Sequence, residues 1–281
     1  MCWPSRVRCP VLAPPRGRGA GGGVAPGGCM APAAVLPSSA PPSRKLRFLA
    51  LHSFRTSGRI MELQMASSGF ARAVEDLADV EYLDAPMVAD TAKVPRIIKQ
   101  FFPDETYREW WNADTASDGS VTYNGLFDAL KTVRDHVTAH GPYDGVMGFS
   151  QGGSLAELLC RSHWHEHGKC PFACAVVLCS FACRDSSYRS LYPDATADAA
   201  VAAAEAPGLS SNLTPTLFIA GGKDTDVPAV FTERLARATT NSTYLCVPEN
   251  PHVVPRLRTD DQTAVVRSFL KRQLDGVGGR L

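Results

Sequence analysis

Two hydrophobic periods alternate along most of this chain. Short runs that are apolar at nearly every position lie at Leu46–Leu51, Val80–Leu83, Val146-Met147, Ala173–Leu178, Thr216–Ala220 and Thr243–Val247. Such runs predict strands buried on both faces. Between them, apolar residues recur every three or four positions. Ile60, Leu63, Phe70, Val74 and Leu77 form one such series, and Leu126, Leu130, Val133 and Val137 another. This spacing predicts helices over 60–77, 123–140, 154–168 and 230–238, with a last one ending near Leu274. Strands alternating with helices predict the α/β class: a mostly parallel central sheet with helices on both faces. Two stretches break the alternation. Residues 86 to about 121 read as a long irregular connection holding Phe101-Phe102-Pro103 and Trp110-Trp111. A loop of that length in a compact domain is commonly functional, so it is expected to form a wall or lid. The second stretch is a helical or looped insertion running through about Pro207.

Residues 1–43 differ in kind. They are dominated by Pro, Gly, Ala and Arg, and no acidic residue precedes Glu62. Such a segment has too little apolar surface to offset its ordering entropy, so disorder is expected there, with a folded domain over 44–276. A transit peptide, an upstream extension before a start at Met30, and a solvated tail are all compatible with this composition. No apolar core of a secretory signal is visible.

Bulk properties narrow the function. Of 281 residues 44% are hydrophobic, enough for one substantial core, and the net charge of +1 argues against a nucleic-acid partner. Without an apolar run of about 18 residues, no membrane span is expected. Nine scattered cysteines, an odd number without zinc-knuckle spacing, suggest reduced thiols. The expected location is cytoplasmic, or a plastid or mitochondrion if the extension is a transit peptide.

The chemistry centres on Gly148-Phe149-Ser150-Gln151-Gly152, between a short apolar strand and a helical repeat. A serine flanked by glycines at minus two and plus two, in a strand–turn–helix setting, is the nucleophile-elbow pattern. Side chains at the two glycine positions would collide in so sharp a turn. A serine hydroxyl is a weak nucleophile and needs a base oriented by a carboxylate. Asp224 and Asp226 follow the strand ending at Ala220, and His252 is the only histidine beyond them. The order Ser, Asp, His makes His252 the base. Asp224 is favoured as its acid, and Asp226 reads instead as a cap for a helix beginning near Pro228. The oxyanion is expected on the backbone amides of Gln151 and Phe54. His52, at a strand end, is expected to be structural. His163, His165 and His167 with Cys170 and Cys174 offer zinc-type ligands. Alternate histidines on a helix diverge, however, so they are read as complements to its dipole and no metal is expected.

Taken together, several segments resemble the FSH family of serine hydrolases. They are Leu51-His52 with Arg55-Thr56-Ser57-Gly58, Leu83-Asp84-Ala85-Pro86, Trp110-Trp111, the run from Gly141-Pro142-Tyr143-Asp144 to Gly152, Asp224 before Val227-Pro228, and His252 before Pro255. The resemblance covers about residues 45–275. It implies an α/β-hydrolase fold, a triad on Ser150, Asp224 and His252, and esterase or thioesterase activity without metal or organic cofactor. Ser53 stands where the family commonly has glycine, and Cys179-Ser180-Phe181 replaces a Ser-Gly-Phe-like sequence. The expected substrate is a small-molecule ester with an apolar acyl chain, bound against Phe54, Trp110 and Trp111. A thioesterase with the same triad, and a non-catalytic binding module on a hydrolase fold, are the alternatives.

Overall fold

A computed structural model gives the fold over residues 44–192 and 212–278. The extension over 1–43 and the insertion from 193 to 211 lie outside these described residues. The main sheet has six strands: β1 (Leu46–Leu51), β2 (Ala78–Leu83), β3 (Gly145–Phe149), β4 (Cys174–Leu178), β5 (Thr216–Gly221) and β6 (Ser242–Val247). They pair in the order β6-β5-β4-β3-β1-β2, and every pairing is parallel. The major helices are α1 (Gly58–Ser68), α2 (Leu126–His140), α3 (Gln151–His167), α4 (Ala229–Arg237) and α5 (Asp260–Gly278).

Successive side chains of a strand point to opposite faces, so each strand feeds two cores. Leu49, Leu51, Val146, Val177 and Phe218 pack with α2, α3 and α4. Phe48, Ala50, Met147, Val176 and Ile219 pack with α1 and α5. This is why the strands are apolar at nearly every position.

Boundaries shift where local chemistry intervenes. The helix expected over 60–77 is broken at Gly69, whose φ of 79° ends α1 and starts the short helix Phe70–Val74. Tyr123 belongs to a hairpin strand, Val121–Asn124 paired with Asn112–Thr115, and not to α2. The last helix continues past 276 to Gly278. The connection expected to be irregular is ordered. Met87–Val88 pairs with Arg108–Glu109, and a helix over Arg96–Phe101 lies between them. Ala89, Val94 and Tyr107 from this segment pack on Ile60 of α1. Among the described residues no helix is long and apolar enough to cross a membrane.

Candidate active site

The sheet order brings four strand ends together. β3 lies between β1 and β4, so the turn carrying Ser150 is flanked by His52–Phe54 on one side and Cys179–Phe181 on the other. Ser150 adopts φ 55° and ψ −118°, a conformation that ordinary residues avoid. The glycines make it possible. A Cβ on Gly148 would lie 2.2 Å from the Gly152 carbonyl oxygen, and one on Gly152 would lie 2.1 Å from that of Leu51. The turn is pinned by the Ser150 amide, which donates to the Leu178 carbonyl at 2.9 Å, and by the Ser150 carbonyl, which accepts from the Ser154 amide at 3.0 Å. Ser180 Oγ donates to that same carbonyl at 3.0 Å.

Ser150 Oγ lies 3.0 Å from His252 Nε2, and His252 Nδ1 lies 2.7 Å from Asp224 Oδ2. The side chain of Asp224 is sealed from solvent, while that of His252 keeps some exposure. The other carboxylate oxygen of Asp224 accepts the amides of Asp226 at 3.0 Å and Val227 at 2.7 Å. An ionised carboxylate only accepts, so His252 Nδ1 carries the proton and Nε2 presents its lone pair to Ser150. Asn250, fully buried, shapes the histidine loop: its amide donates to the Val253 carbonyl at 3.0 Å and its oxygen accepts the Arg256 amide at 3.1 Å. Asp226 is exposed and makes no contact with His252 among the bonds described. Asp226 does not cap α4, whose N-cap position is Pro228 without a side-chain cap bond; Asp224 instead holds the turn before it.

On the β1 side of the serine turn, His52 is fully buried. Its Nε2 accepts the Ala85 amide at 3.0 Å, which leaves Nδ1 as the protonated nitrogen. Nδ1 then donates to the Ser53 carbonyl at 2.8 Å, and Thr56 Oγ1 donates to the same oxygen at 2.8 Å. In a trans peptide the C=O and the following N–H point in opposite directions. Two donors on the Ser53 carbonyl therefore fix the direction of the Phe54 N–H. The hydroxyl of Ser53 meets Thr56 Oγ1 at 3.2 Å, so the serine standing in place of glycine is tied into the same cluster.

Burial pushes the His52 imidazole down to about 4, from an ordinary 6.5. The native state therefore holds it neutral where the unfolded chain would bind a proton. Stability from this group is present in full above pH 6.5 and is lost as pH falls toward 4, by about 3 kcal/mol. Urea titrations of the wild type and His52→Gln at pH 7 and pH 4.5 check this. The wild type is expected to lose the larger share of its stability, and parallel losses would show that His52 does not titrate on unfolding.

Trp110 and Trp111 do not line an acyl site. Trp110 is fully buried, and Trp111 is 3% exposed and stacked on Tyr123 at 4.8 Å. Their place is structural. Trp110 Nε1 donates to the His52 carbonyl at 2.8 Å, and the Gln151 side chain clasps the Trp110 amide at 3.0 Å and the Trp111 carbonyl at 2.8 Å. The side chain of Gln151 was not anticipated, because the residue mattered to the sequence reading only for its backbone. Phe54, by contrast, is 39% exposed beside the serine turn, with the Arg55 guanidinium over its ring. Two of the helix histidines share a face, against the divergence expected of them: His163 and His167 meet ring to ring at 4.5 Å, and His163 Nδ1 bonds the Lys169 carbonyl. Among the described residues no group of three or more His, Cys, Asp or Glu side chains could hold a metal ion.

The parallel sheet, its helical layers and the serine turn after β3 define an α/β-hydrolase. The chain belongs to the serine hydrolase (FSH1) family, which it matches over residues 42–264. It is 34% identical to Hydrolase FUB4 of Fusarium oxysporum f. sp. lycopersici over 127 residues, covering 45% of this chain and 43% of that one. It is 29% identical to Esterase OVCA2 of Xenopus tropicalis over 156 residues, covering 53% of this chain and 67% of that one. The chain thus spans less than half the length of the Fusarium relative. Among solved structures, Arabidopsis thaliana SOBER1 is similar with a TM-score of 0.50 at 19% identity, over 82% of this chain and 100% of that one. Zea mays acyl-protein thioesterase 2 also gives 0.50, at 18% identity, over 85% and 97%. At such identities the likeness concerns the fold.

Proposed function

We propose that this chain is a carboxylic ester hydrolase with Ser150 as nucleophile, His252 as general base and Asp224 as the acid that orients it. The observation that carries the reading is the unbroken hydrogen-bond run from Ser150 Oγ through both nitrogens of His252 to Asp224. Ser150 attacks the acyl carbonyl as His252 Nε2 takes its proton. The amides of Gln151 and Phe54 donate to the developing oxyanion. His252 returns the proton to the leaving alcohol, and a water activated on the same nitrogen then frees the acyl-enzyme.

Apolar acyl chains are favoured by what surrounds the triad loops. Phe54 follows the oxyanion strand, Val253 follows the base, and Val230 with Phe231 opens the helix after the acid; all four are exposed. The apolar groups needed for an acyl chain therefore come from these positions, with Trp110 and Trp111 supporting the wall behind them. A thioester serves the same geometry, and the likeness in fold to a plant acyl-protein thioesterase makes it the second reading.

A fluorophosphonate probe is expected to label the wild type and not Ser150→Ala. Absence of labelling on folded wild type would leave a binding module as the better reading. Matched oxygen esters and thioesters from acetyl to decanoyl then separate the two activities. Rising kcat/KM with chain length supports the apolar rim, and a flat profile removes it.

A further inference from the structure

The ladder between β1 and β3 ends at Leu51 opposite Gly148, short of both Phe54 and Gln151. Among the described residues no strand pairing links the two loops beyond that point. Residues 108–111 bond to both loops instead. The Arg108 amide donates to the Thr56 carbonyl at 2.7 Å. Glu109 Oε2 accepts from Arg55 Nε at 3.2 Å. Trp110 Nε1 donates to the His52 carbonyl at 2.8 Å, and its ring lies 5.1 Å from the imidazole. On the other side, Gln151 Oε1 accepts the Trp110 amide at 3.0 Å, and Gln151 Nε2 donates to the Trp111 carbonyl at 2.8 Å. Residues on both sides of Phe54, and Gln151 itself, are thus bound to one short stretch of backbone.

That stretch is firmly held. Trp110 is fully buried and Glu109 is 4% exposed. A carboxylate so buried needs its counter-charge and further donors. Glu109 has both, because Asn112 Nδ2 donates to its other oxygen at 2.5 Å. Arg55 is committed in turn. It holds a φ of 57°, in the left-handed region that a residue with a Cβ adopts at a cost. Its bond to Glu109 and a second from Nη1 to the Lys93 carbonyl at 2.6 Å offset that cost. The guanidinium also lies 4.4 Å from the centre of the Phe54 ring.

We propose that residues 108–111 form a strut that sets the separation of the Phe54 and Gln151 amides, with Arg55, Glu109 and the Gln151 side chain as positioning residues. This role rests on the hydrolase reading, because the separation matters only if an oxyanion forms between the two amides. A donor serves an oxyanion at about 2.7–3.1 Å, so two donors act together only when the gap between them is fixed. The three side chains act through the backbone.

The test measures kcat and KM on an aryl ester, and the Ki of a trifluoromethyl ketone whose adduct on Ser150 carries the same oxyanion. Gln151→Met keeps the side-chain length and removes both of its bonds. It is expected to lower kcat about a hundred-fold with KM within about twofold, and to raise Ki by a factor like that on kcat. Arg55→Met with Glu109→Leu releases the other end without stranding a charge, and is expected to lower kcat about tenfold at similar KM. The pH midpoint of kcat/KM, which reports His252, should stay in place for both. If either release fails to fold, the other still gives the comparison of kcat with KM. All three substitutions together should fall within about twofold of Gln151→Met, because a strut freed at one end no longer sets a separation. Losses that multiply, a wild-type kcat in either folded release, or a rise in KM in place of the fall in kcat would overturn the strut and leave the hydrolase reading standing. A folded wild type that neither turns over ester nor takes a fluorophosphonate would overturn both.

Discussion

Ser150→Ala is expected to lower kcat on an aryl ester by about a million-fold, and Asp224→Asn by about ten-thousand-fold. The second change is the more informative, because the bonds of Asp224 separate its two tasks. One oxygen holds the Asp226 and Val227 amides at 3.0 and 2.7 Å, and the other holds His252 Nδ1 at 2.7 Å. Asparagine keeps an oxygen for the amides, so the turn survives. Its NH₂ then faces Nδ1, and two donors cannot pair. His252 is driven to the other tautomer, in which Nε2 donates to Ser150 and cannot take its proton. The thermal midpoint should therefore stay near that of the wild type while kcat falls. Asp224→Ala, which leaves both amides without an acceptor, should lose stability as well. If Asp224→Asn stays within tenfold of wild type while Asp226→Asn does not, the orienting acid is Asp226.

Ser150, His252 and Asp224, which the structure joins by hydrogen bonds, could be picked out from sequence because what singles them out is local or ordinal. The two glycines are dictated by the shape of one turn, and the base and acid by their order after late strands. Distance decided what could not be read. Trp110 and Trp111 looked like an acyl wall because aromatic residues in a long connection carry no sign of the side they face. Their burial depends on Gln151, about forty positions away, which holds the backbone of both. The connection itself read as irregular because its strands, Met87–Val88 and Arg108–Glu109, are two residues long and pair across the intervening helix. Two residues cannot establish a period. His52 was legible only as a strand-end polar group; its tautomer, and with it the direction of the Phe54 amide, follows from the amide of Ala85 in another loop.

Glu157 and Arg161 show the same limit in the core. Nothing in a spacing of four on α3 marks the pair as interior, yet both are buried to within about one per cent of exposure. Arg161 Nε donates to Glu157 Oε1 at 2.7 Å, and the remaining nitrogens reach the carbonyls of Leu191 at 3.4 Å and Ala238 at 3.3 Å and the hydroxyl of Thr239 at 3.3 Å. The other oxygen of Glu157 accepts from the Tyr192 hydroxyl, which burial keeps protonated well above the ordinary tyrosine range. The guanidinium thus joins α3 to the segment after β4 and to the end of α4. Arg161→Met is expected to cost about 3–5 kcal/mol, because it fills the space but leaves the Glu157 carboxylate buried without its counter-charge. A urea titration reads this as a lower midpoint with an unchanged slope. Arg161→Met combined with Glu157→Leu removes both charges. Desolvation alone can offset the attraction of a buried pair, so the double variant should recover most of the loss. Recovery would show that the single variant suffers from a stranded carboxylate. A double variant as unstable as the single would locate the stabilisation in the bonds Arg161 makes to Leu191, Ala238 and Thr239.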